Sequence, residues 1–239
     1  MTVDILAQSS QGAGVPIREL LLVFLTAAVV TFLATGGVRV LAIKFGAVAA
    51  PRERDVHTTP TPRLGGTGMF LGMLIAILFA SQLPALTRGF ESQYGSQDIP
   101  AALVAGFVIV AVGVIDDRRN LSAKWKFTGQ VLIALAVAAS GIRVTIFVES
   151  PLFSYAVTVL WILTVTNAVN FQDNMNGLCA GLGLIGGWFF AWHAGLEGQY
   201  LVASLAFLFT GALVGFLPFN FPRGDVFLGD GGSHVDGFL

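Results

Sequence analysis

The sequence predicts an all-α fold: a polytopic bundle of helices embedded in a membrane. Of the 239 residues, 55% are hydrophobic and 11% are charged, whereas soluble domains usually carry about 25% charged residues. Apolar runs close to the ~20 residues that cross the hydrocarbon core recur along the whole chain. We therefore expect residues 1–239 to form a single transmembrane domain, without a separate soluble domain.

Seven membrane spans are predicted from these apolar runs, and the third and sixth are short. The spans cover residues 20–42, 64–81, 101–115, 128–147, 153–169, 178–193 and 200–217. The stretch before the first span has no basic segment. The first span itself is not followed by an obvious small-residue cleavage site before the next loop. We therefore expect the first span to stay in the protein as an anchor.

Lysine and arginine residues fall mainly at one of the two sets of span ends. Arg18, Arg88 and Arg143 lie at one set, and ten lie at the other: Arg39, Lys44, Arg52, Arg54, Arg63, Arg118, Arg119, Lys124, Lys126 and Arg223. Because positive charge marks the cytoplasmic side, we expect the second set to face the cytoplasm of an inner (plasma) membrane, with the N-terminus outside. The net charge of −1 indicates no polyanionic partner, and we expect no nucleic-acid binding.

Four polar segments lie at the ends that we assign to the cytoplasm: residues 51–66, 116–126, 167–177 and 220–233. Contact with water explains most single charges in such segments. Asp116 and Asp117, however, follow an apolar run directly, and Asp230 follows another. Ionisable groups at that depth cost about 2.5 to 3.5 kcal/mol at a helix centre and less near the interface, so we interpret these carboxylates as functional.

The adjacent carboxylates of Asp116 and Asp117 repel each other unless a cation or a proton is shared between them. Mg²⁺ binds hard oxygen ligands, usually one or two carboxylates with water and substrate phosphate, and Asp173 and Asp230 offer further oxygens. Nearby cations such as Lys126 can hold phosphate oxygens. We predict a Mg²⁺ site, with Mn²⁺ as the alternative ion, and phosphoryl chemistry on a lipid head group.

Three glycines, Gly229, Gly231 and Gly232, flank Asp230. A flexible backbone there would let main-chain amides approach an anion, and a simple turn explains the same residues almost as well. Both interpretations stay open from the sequence.

The motifs, in their order along the chain, resemble those of a known membrane family. The matching residues are Asp116-Asp117, Leu121-Ser122, Lys126-Phe127, Gln130, Asn167, Asn170, Asp173, Gly177-Leu178, Asn220-Phe221-Pro222, Phe227 to Asp230 and Gly232-Ser233. The family is that of the polyprenyl-phosphate N-acetylhexosamine-1-phosphate transferases, which includes phospho-N-acetylmuramoyl-pentapeptide transferase and undecaprenyl-phosphate GlcNAc-1-phosphate transferase. The resemblance covers roughly residues 50–239.

The resemblance implies an activity in cell-envelope glycan synthesis. A polyprenyl phosphate, expected to be undecaprenyl phosphate, would attack the β-phosphate of a UDP-activated amino sugar such as UDP-GlcNAc, and UMP would leave. Asp230 would be the principal metal ligand, and Asp116 and Asp117 would contact the metal or deprotonate and position the lipid phosphate. Asp173 would order the active site, and Phe227 would stack on the nucleobase. A metal and fixed cations suit phosphoryl transfer, whose catalysis is mostly positioning and charge stabilisation.

Further substrate contacts are expected around this centre. Lys126 is expected to bind phosphate, and the amides of Asn167 and Asn170 are expected to brace Asp173 or to meet sugar and base edges. The segment that contains His57 looks like the glycan-initiating branch of the family, which places His57 in the substrate site; a proline-rich connector is the alternative. The resemblance also allows a homodimer.

The sequence departs from the family pattern in two places. Where the family usually has DGxDG, this chain has Asp173-Asn174-Met175-Asn176-Gly177. Because an amide both donates and accepts, Asn176 in the nucleotide pocket is expected to change nucleobase recognition or to reduce activity. The chain also stops at Leu239, where family members continue with further spans, so we expect it to be incomplete or shortened at its C-terminus. His234 and Asp236 receive no role.

Two other functions stay open. Intramembrane carboxylates also mark ion routes in transporters, although transporter sites usually lie near the bilayer midplane, often in broken helices, whereas the four polar segments here lie at the cytoplasmic ends of spans. An inactive relative that acts as an assembly partner is the second alternative, because Asn176 and the early stop break the family pattern.

Overall fold

The computed structural model describes residues 15–44, 48–49, 61–119, 121–145 and 150–238. Within these ranges the chain is almost entirely helical, which confirms the all-α prediction. The elements in order are α1 (Ile17–Lys44), β1 (Val48–Ala49), β2 (Thr61–Pro62), α2 (Gly65–Ala80), α3 (Pro84–Glu91), α4 (Gln93–Arg119), α5 (Ala123–Ser140), α6 (Pro151–Gln172), α7 (Leu178–Leu196), α8 (Tyr200–Asn220) and α9 (Gly229–Phe238). The two strands form a short antiparallel ladder.

A helix coincides with each of the seven predicted spans, but fewer helices qualify as spans by length and hydropathy. In the described part of the chain, five are long and apolar enough to cross a membrane: α1, α4, α6, α7 and α8. The pair α2 and α3, bent by 102°, makes a sixth if it counts as one span. The fourth predicted span, 128–147, is not supported as a membrane span, because α5 ends at Ser140 and carries Lys124 and Lys126 in its first turns.

Large apolar side chains are exposed along these helices, as expected for a protein whose outer surface faces lipid. Leu33 on α1, Phe107 on α4, Leu160 on α6 and Phe189 on α7 are each at least 62% exposed. The membrane satisfies such surfaces, whereas a soluble protein rarely exposes so many neighbouring apolar groups.

Glycines bring the helix backbones close together. Gly211 and Gly215 of α8 lie against the carbonyl oxygens of Phe24 and Ala28 of α1, and a Cβ at either glycine would overlap those oxygens. Small residues at such seams are the usual means by which membrane helices pack, because lipid tails remove the hydrophobic driving force between them. One group of helices is therefore built around α1, α2, α7 and α8.

Helix α9 joins this group to α4 and α6, and it packs mainly through glycines. Gly231 lies against Gly113 of α4, Gly232 against Gly66 of α2, and Gly237 against Thr166 of α6. The interpretation of residues 229–232 as a flexible anion loop or a simple turn is therefore wrong for Gly231 and Gly232, which lie inside a helix. Of the three glycines beside Asp230, Gly229 alone, with a φ of 72°, has the positive φ of a turn residue.

The segment before α2 is docked on the start of α9. The Phe227 amide donates to the Pro62 carbonyl at 3.0 Å, and the amides of Gly65 and Gly66 donate to the carbonyls of Phe227 and Leu228 at 3.0 and 2.9 Å. The end of the proline-rich segment thus lies against the backbone that leads into α9. His57 lies outside the described residues, so its role stays a prediction.

Candidate functional site

Four helix ends meet where the sequence analysis placed the functional carboxylates. Asp116 and Asp117 lie in the last turns of α4, Lys126 lies in the first turns of α5, Asp173 follows α6, and Asp230 is the second residue of α9. Asp116, Asp117 and Asp230 belong to helices, although the sequence analysis treated all three as parts of polar segments between spans. Five residues scattered over 115 positions of the sequence thus form one cluster.

The ammonium group of Lys126 links the carboxylates of Asp116 and Asp230. Its Nζ atom pairs with Oδ2 of Asp116 and lies 2.9 Å from Oδ2 of Asp230. The other oxygen of Asp116 accepts a 2.8 Å hydrogen bond from the Leu121 amide, which ties the residues just before α5 to the end of α4. Burial alone would raise the pKa of Asp230, but hydrogen bonds with Asp116 and Lys126 and the charge of Lys126 outweigh it and hold this pKa below its ordinary range.

The carboxylates of Asp117 and Asp173 contact the backbone at the start of α9. Oδ2 of Asp117 accepts a hydrogen bond from the Asp230 amide, and Oδ2 of Asp173 accepts one from the Gly229 amide, both at 3.0 Å. Burial raises the pKa of Asp173 well above its ordinary value, and the Gly229 hydrogen bond opposes that shift.

Asn170 holds the other side of Asp230. Its Nδ2 atom lies 3.2 Å from Oδ1 of Asp230 and 2.7 Å from Oγ of Ser233. The Ser233 hydroxyl in turn donates to the Gly229 carbonyl at 2.8 Å. The predicted bracing role of Asn170 therefore has a different target from the one expected, because Asn170 contacts Asp230 and not Asp173 through its side chain.

A row of amide and imidazole groups continues the site between α5, α6 and α9. Asn167 donates to Oε1 of Gln130 at 2.8 Å, and Nε2 of Gln130 lies 2.7 Å from Nε2 of His234. Because the Gln130 amide is a donor, His234 accepts at Nε2, and its Nδ1 proton faces the Asp230 carbonyl. Burial lowers the pKa of His234, which keeps the ring neutral. The sequence analysis assigned no role to His234; its i+4 spacing from Asp230 becomes informative only once α9 is known to be a helix.

An apolar cavity opens onto the Lys126 cluster. The empty space between its lining residues, together with open solvent at its mouth, is about 500 Å³, and its polar end is formed by Asp116, Lys126, Asp230 and His234. The rest of its lining is largely apolar and comes from α4, α5 and α6, including Ile109, Val112, Ile133, Ile162 and Leu163. An apolar lining with charged groups at one end matches the chemical character of an apolar ligand with a charged head group.

The remaining predicted substrate residues lie at the edge of the cluster. Nδ2 of Asn176 donates to the Pro222 carbonyl at 2.9 Å, so it connects the loop after α6 to the loop after α8. Asn220, 2% exposed, ties the same loops by accepting from the Gly177 amide at 2.7 Å and donating to the Val226 carbonyl at 3.0 Å. The Phe227 side chain is 8% exposed, and its stacking on a nucleobase stays a prediction.

Comparison with known proteins identifies the family of the chain. The family model described as glycosyl transferase family 4 matches residues 99–239, which include every cluster residue above. The chain belongs to this family. The matched region begins within α4 and contains the carboxylates of α4, the amides of α6 and the whole of α9.

Several curated members of the family are similar to the chain over most of its length. Decaprenyl-phosphate N-acetylglucosaminephosphotransferase of Mycolicibacterium smegmatis is 47% identical over 98% of this chain and 62% of its own length. The probable undecaprenyl-phosphate N-acetylglucosaminyl 1-phosphate transferase of Bacillus subtilis is 34% identical over 92% of this chain and 61% of its own. Phospho-N-acetylmuramoyl-pentapeptide-transferase of Desulforudis audaxviator is 31% identical over 75% and 60%. The chain thus spans about three fifths of the length of these relatives.

Proposed function

We propose that this protein transfers N-acetylglucosamine-1-phosphate from UDP-N-acetylglucosamine to a polyprenyl phosphate and releases UMP. The observation that carries the proposal is the position of Lys126, which joins Asp116 and Asp230 at the polar end of an apolar cavity. The names of the relatives from Mycolicibacterium smegmatis and Bacillus subtilis supply the sugar and the polyprenyl phosphate class of acceptor.

The cavity would bind the prenyl chain of the acceptor, and the cluster would bind its phosphate. The prenyl chain would lie against the apolar side chains of α4, α5 and α6, which places its phosphate beside Lys126. An oxygen of that phosphate forms a bond to the β-phosphorus of the nucleotide sugar, while the bond from this phosphorus to the bridging oxygen breaks and UMP leaves with the electron pair. Lys126 compensates negative charge on the phosphates, and Asp116 positions the lysine or receives the acceptor proton.

The residues of the cluster fit a divalent metal ion. Among the described residues, no group of three or more His, Cys, Asp and Glu side chains forms a ready-made metal site. Mg²⁺ needs fewer, because it usually takes one or two carboxylates and completes its shell with water and substrate phosphate. Oxygens of Asp116 and Asp230 already converge on one cation, the Lys126 ammonium. Asp230 and Asp116 would hold Mg²⁺ or Mn²⁺, which would neutralise the diphosphate.

The site would face the cytoplasm of the plasma membrane, where nucleotide sugars are made. In the described part of the chain, Arg118, Arg119 and Lys124 lie at the same helix ends as the cluster, while Arg18, Arg88 and Arg143 lie at the opposite ends. Positive residues concentrate on the cytoplasmic side, which supports this orientation. Phe227 and Asn176 would contribute to the nucleotide pocket, and Asn167 and Asn170 would shape the sugar side.

The deciding experiment is release of UMP from UDP-N-acetylglucosamine by the purified protein in detergent. Undecaprenyl and decaprenyl phosphate are tested as acceptors, each with Mg²⁺, with Mn²⁺ and with a chelator. We expect UMP only when lipid and metal are both present, and no UMP from Asp230→Asn, with Glu91→Gln on α3 as the matched control away from the cluster. Binding of the nucleotide sugar without release would favour the inactive assembly partner, and absence of both binding and release would refute the proposal.

A further inference from the structure

Two of the four carboxylates in the cluster accept hydrogen bonds from backbone amides of α9. Asp117 accepts from the Asp230 amide and Asp173 from the Gly229 amide, each at 3.0 Å. These are the first two amides of α9, and the first turn of any helix leaves its amides without partners inside the helix. Negative charge at this end also interacts favourably with the helix dipole. Both side chains therefore act as caps for α9, although they come from outside it.

The backbone around Gly229 is shaped to admit Asp117. A Cβ at this position would lie 2.6 Å from Oδ2 of Asp117 and would overlap the Arg63 carbonyl oxygen. Only glycine therefore leaves room for the carboxylate to approach the turn, and its φ of 72° is also one that side chains disfavour.

The other two carboxylates face a different way. Asp116 and Asp230 line the apolar cavity together with Lys126, and neither Asp117 nor Asp173 is among the described residues that line it. The side chain of Asp230 reaches Lys126 and Asn170, while its own backbone amide is held by Asp117. The direction of the Asp230 side chain thus depends on how the first turn of α9 is held.

We propose that Asp117 and Asp173 are positioning residues that cap α9 and thereby aim the Asp230 carboxylate at Lys126 and the cavity. Asp116 and Asp230 are then the carboxylates that meet substrate or metal. The part of this assignment that concerns the reaction rests on the proposed function, whereas the capping itself does not.

Hydrogen–deuterium exchange on the full chain in detergent tests the caps without any need for activity. We expect Asp117→Ala and Asp173→Ala to speed exchange of the amides in residues 229–232 by about five- to thirtyfold, the effect of losing a helix cap of ordinary strength. Asn is about as good a cap as Asp, so Asp117→Asn and Asp173→Asn should restore the protection. Asp116→Ala is the matched control and should leave these amides unchanged. Unchanged exchange in both Ala variants of the capping residues would overturn the proposal.

Turnover then separates positioning from direct chemistry. We expect each Ala variant to lose kcat with little change in KM, and each Asn variant to recover kcat by about tenfold or more over its Ala counterpart, because the cap returns without the charge. An Asn variant that regains exchange protection but stays as slow as Ala would overturn the proposal, since the carboxylate charge itself would then be required. If every variant and the parent chain release no UMP, the proposed function fails while the exchange data still decide the capping.

Discussion

Nζ of Lys126 lies 2.9 Å from Oδ2 of Asp230, although 104 positions separate the two residues in the chain. The same ammonium pairs with Asp116, which is 3% exposed. The lysine therefore offsets the repulsion between two carboxylates that the fold brings together at the end of a cavity.

Removing the Lys126 ammonium should make the stability of the site depend on bound Mg²⁺. We expect Lys126→Met to lower the melting temperature and to cut turnover by about 100-fold or more, because the phosphates lose a positioned positive charge. Added Mg²⁺ should raise the melting temperature of this variant more than that of the parent, since the metal would take the place between Asp116 and Asp230. Differential scanning fluorimetry with and without Mg²⁺ measures the melting temperature and its response to the metal, and UMP release measures turnover. Lys124→Met is the control, because Lys124 is exposed on the same helix. An equal Mg²⁺ response in the parent, Lys126→Met and Lys124→Met would contradict the explanation.

Loss of the Asp230 carboxylate should separate metal binding from folding. We expect Asp230→Ala to abolish UMP release and the Mg²⁺-dependent part of nucleotide binding, because Asp230 is the carboxylate that both Lys126 and Asn170 hold in place. Isothermal titration with a UDP-sugar, with and without Mg²⁺, gives the measurement. Near-normal turnover of this variant would remove Asp230 from the metal site.

Close packing of α4 on α9 should tolerate no side chain at Gly113. A Cβ there would overlap the Gly231 backbone and lie 2.7 Å from the Asp230 carbonyl carbon, so the two helices would have to separate. We expect Gly113→Ala to cost about 1 to 3 kcal/mol of stability and to lower activity by displacing Asp116 from Asp230. Gly181→Ala on α7 is the matched control, because nothing lies within 4 Å of its Cβ position and alanine favours a helix. Equal melting temperatures for the two variants would contradict this account.

Stability should depend on pH through Asp236. Burial raises the pKa of this carboxyl from 3.8 to about 7, while the thiol of Cys179, 3.1 Å away, donates to it and lowers it in part. The folded protein therefore holds a proton that the unfolded chain releases, and the stability linked to that proton is lost as the pH rises from about 4 through about 7.

The Asp236→Asn variant tests this dependence. Its melting temperature should fall less than that of the parent between about pH 5 and pH 8, because the amide does not ionise. Asp173, whose pKa burial also raises, contributes a fall of the same sign in both proteins. Asp98→Asn on α4 serves as the control, and identical pH profiles for the parent and Asp236→Asn would refute the assignment.

The amide at position 176 has a structural task that an aspartate would not perform. Asn176 donates to the Pro222 carbonyl, and a carboxylate there would face that oxygen with no proton to share, a loss of about 1 kcal/mol. We therefore expect Asn176→Asp to raise the KM for the UDP-sugar by loosening the two loops. Steady-state kinetics, with the exposed Asn174→Asp as control, checks it. A gain in kcat/KM would show that a carboxylate contact to the nucleobase matters more than the loop contact.

Composition and hydropathy by themselves determined that the chain is a helical membrane protein, because a run of about twenty apolar residues has few other stable environments. The same reasoning singled out Asp116, Asp117, Asp173 and Asp230. Carboxylates at the ends of apolar runs are costly to place there, so their presence indicates a function. Hydropathy was misleading at residues 128–147, because α5 ends at Ser140 and does not qualify as a membrane span.

Only the tertiary structure decided which atoms of these residues meet. The sequence could not show that residues 229–238 form a helix, because a stretch with four glycines has low helix propensity and is stabilised by packing against α2, α4 and α6. Once that helix exists, its amides take up Asp117 and Asp173, and the side chain of Asp230 is directed at Lys126. The local sequence pattern predicted which carboxylates matter, whereas their orientations depend on contacts between residues about a hundred positions apart.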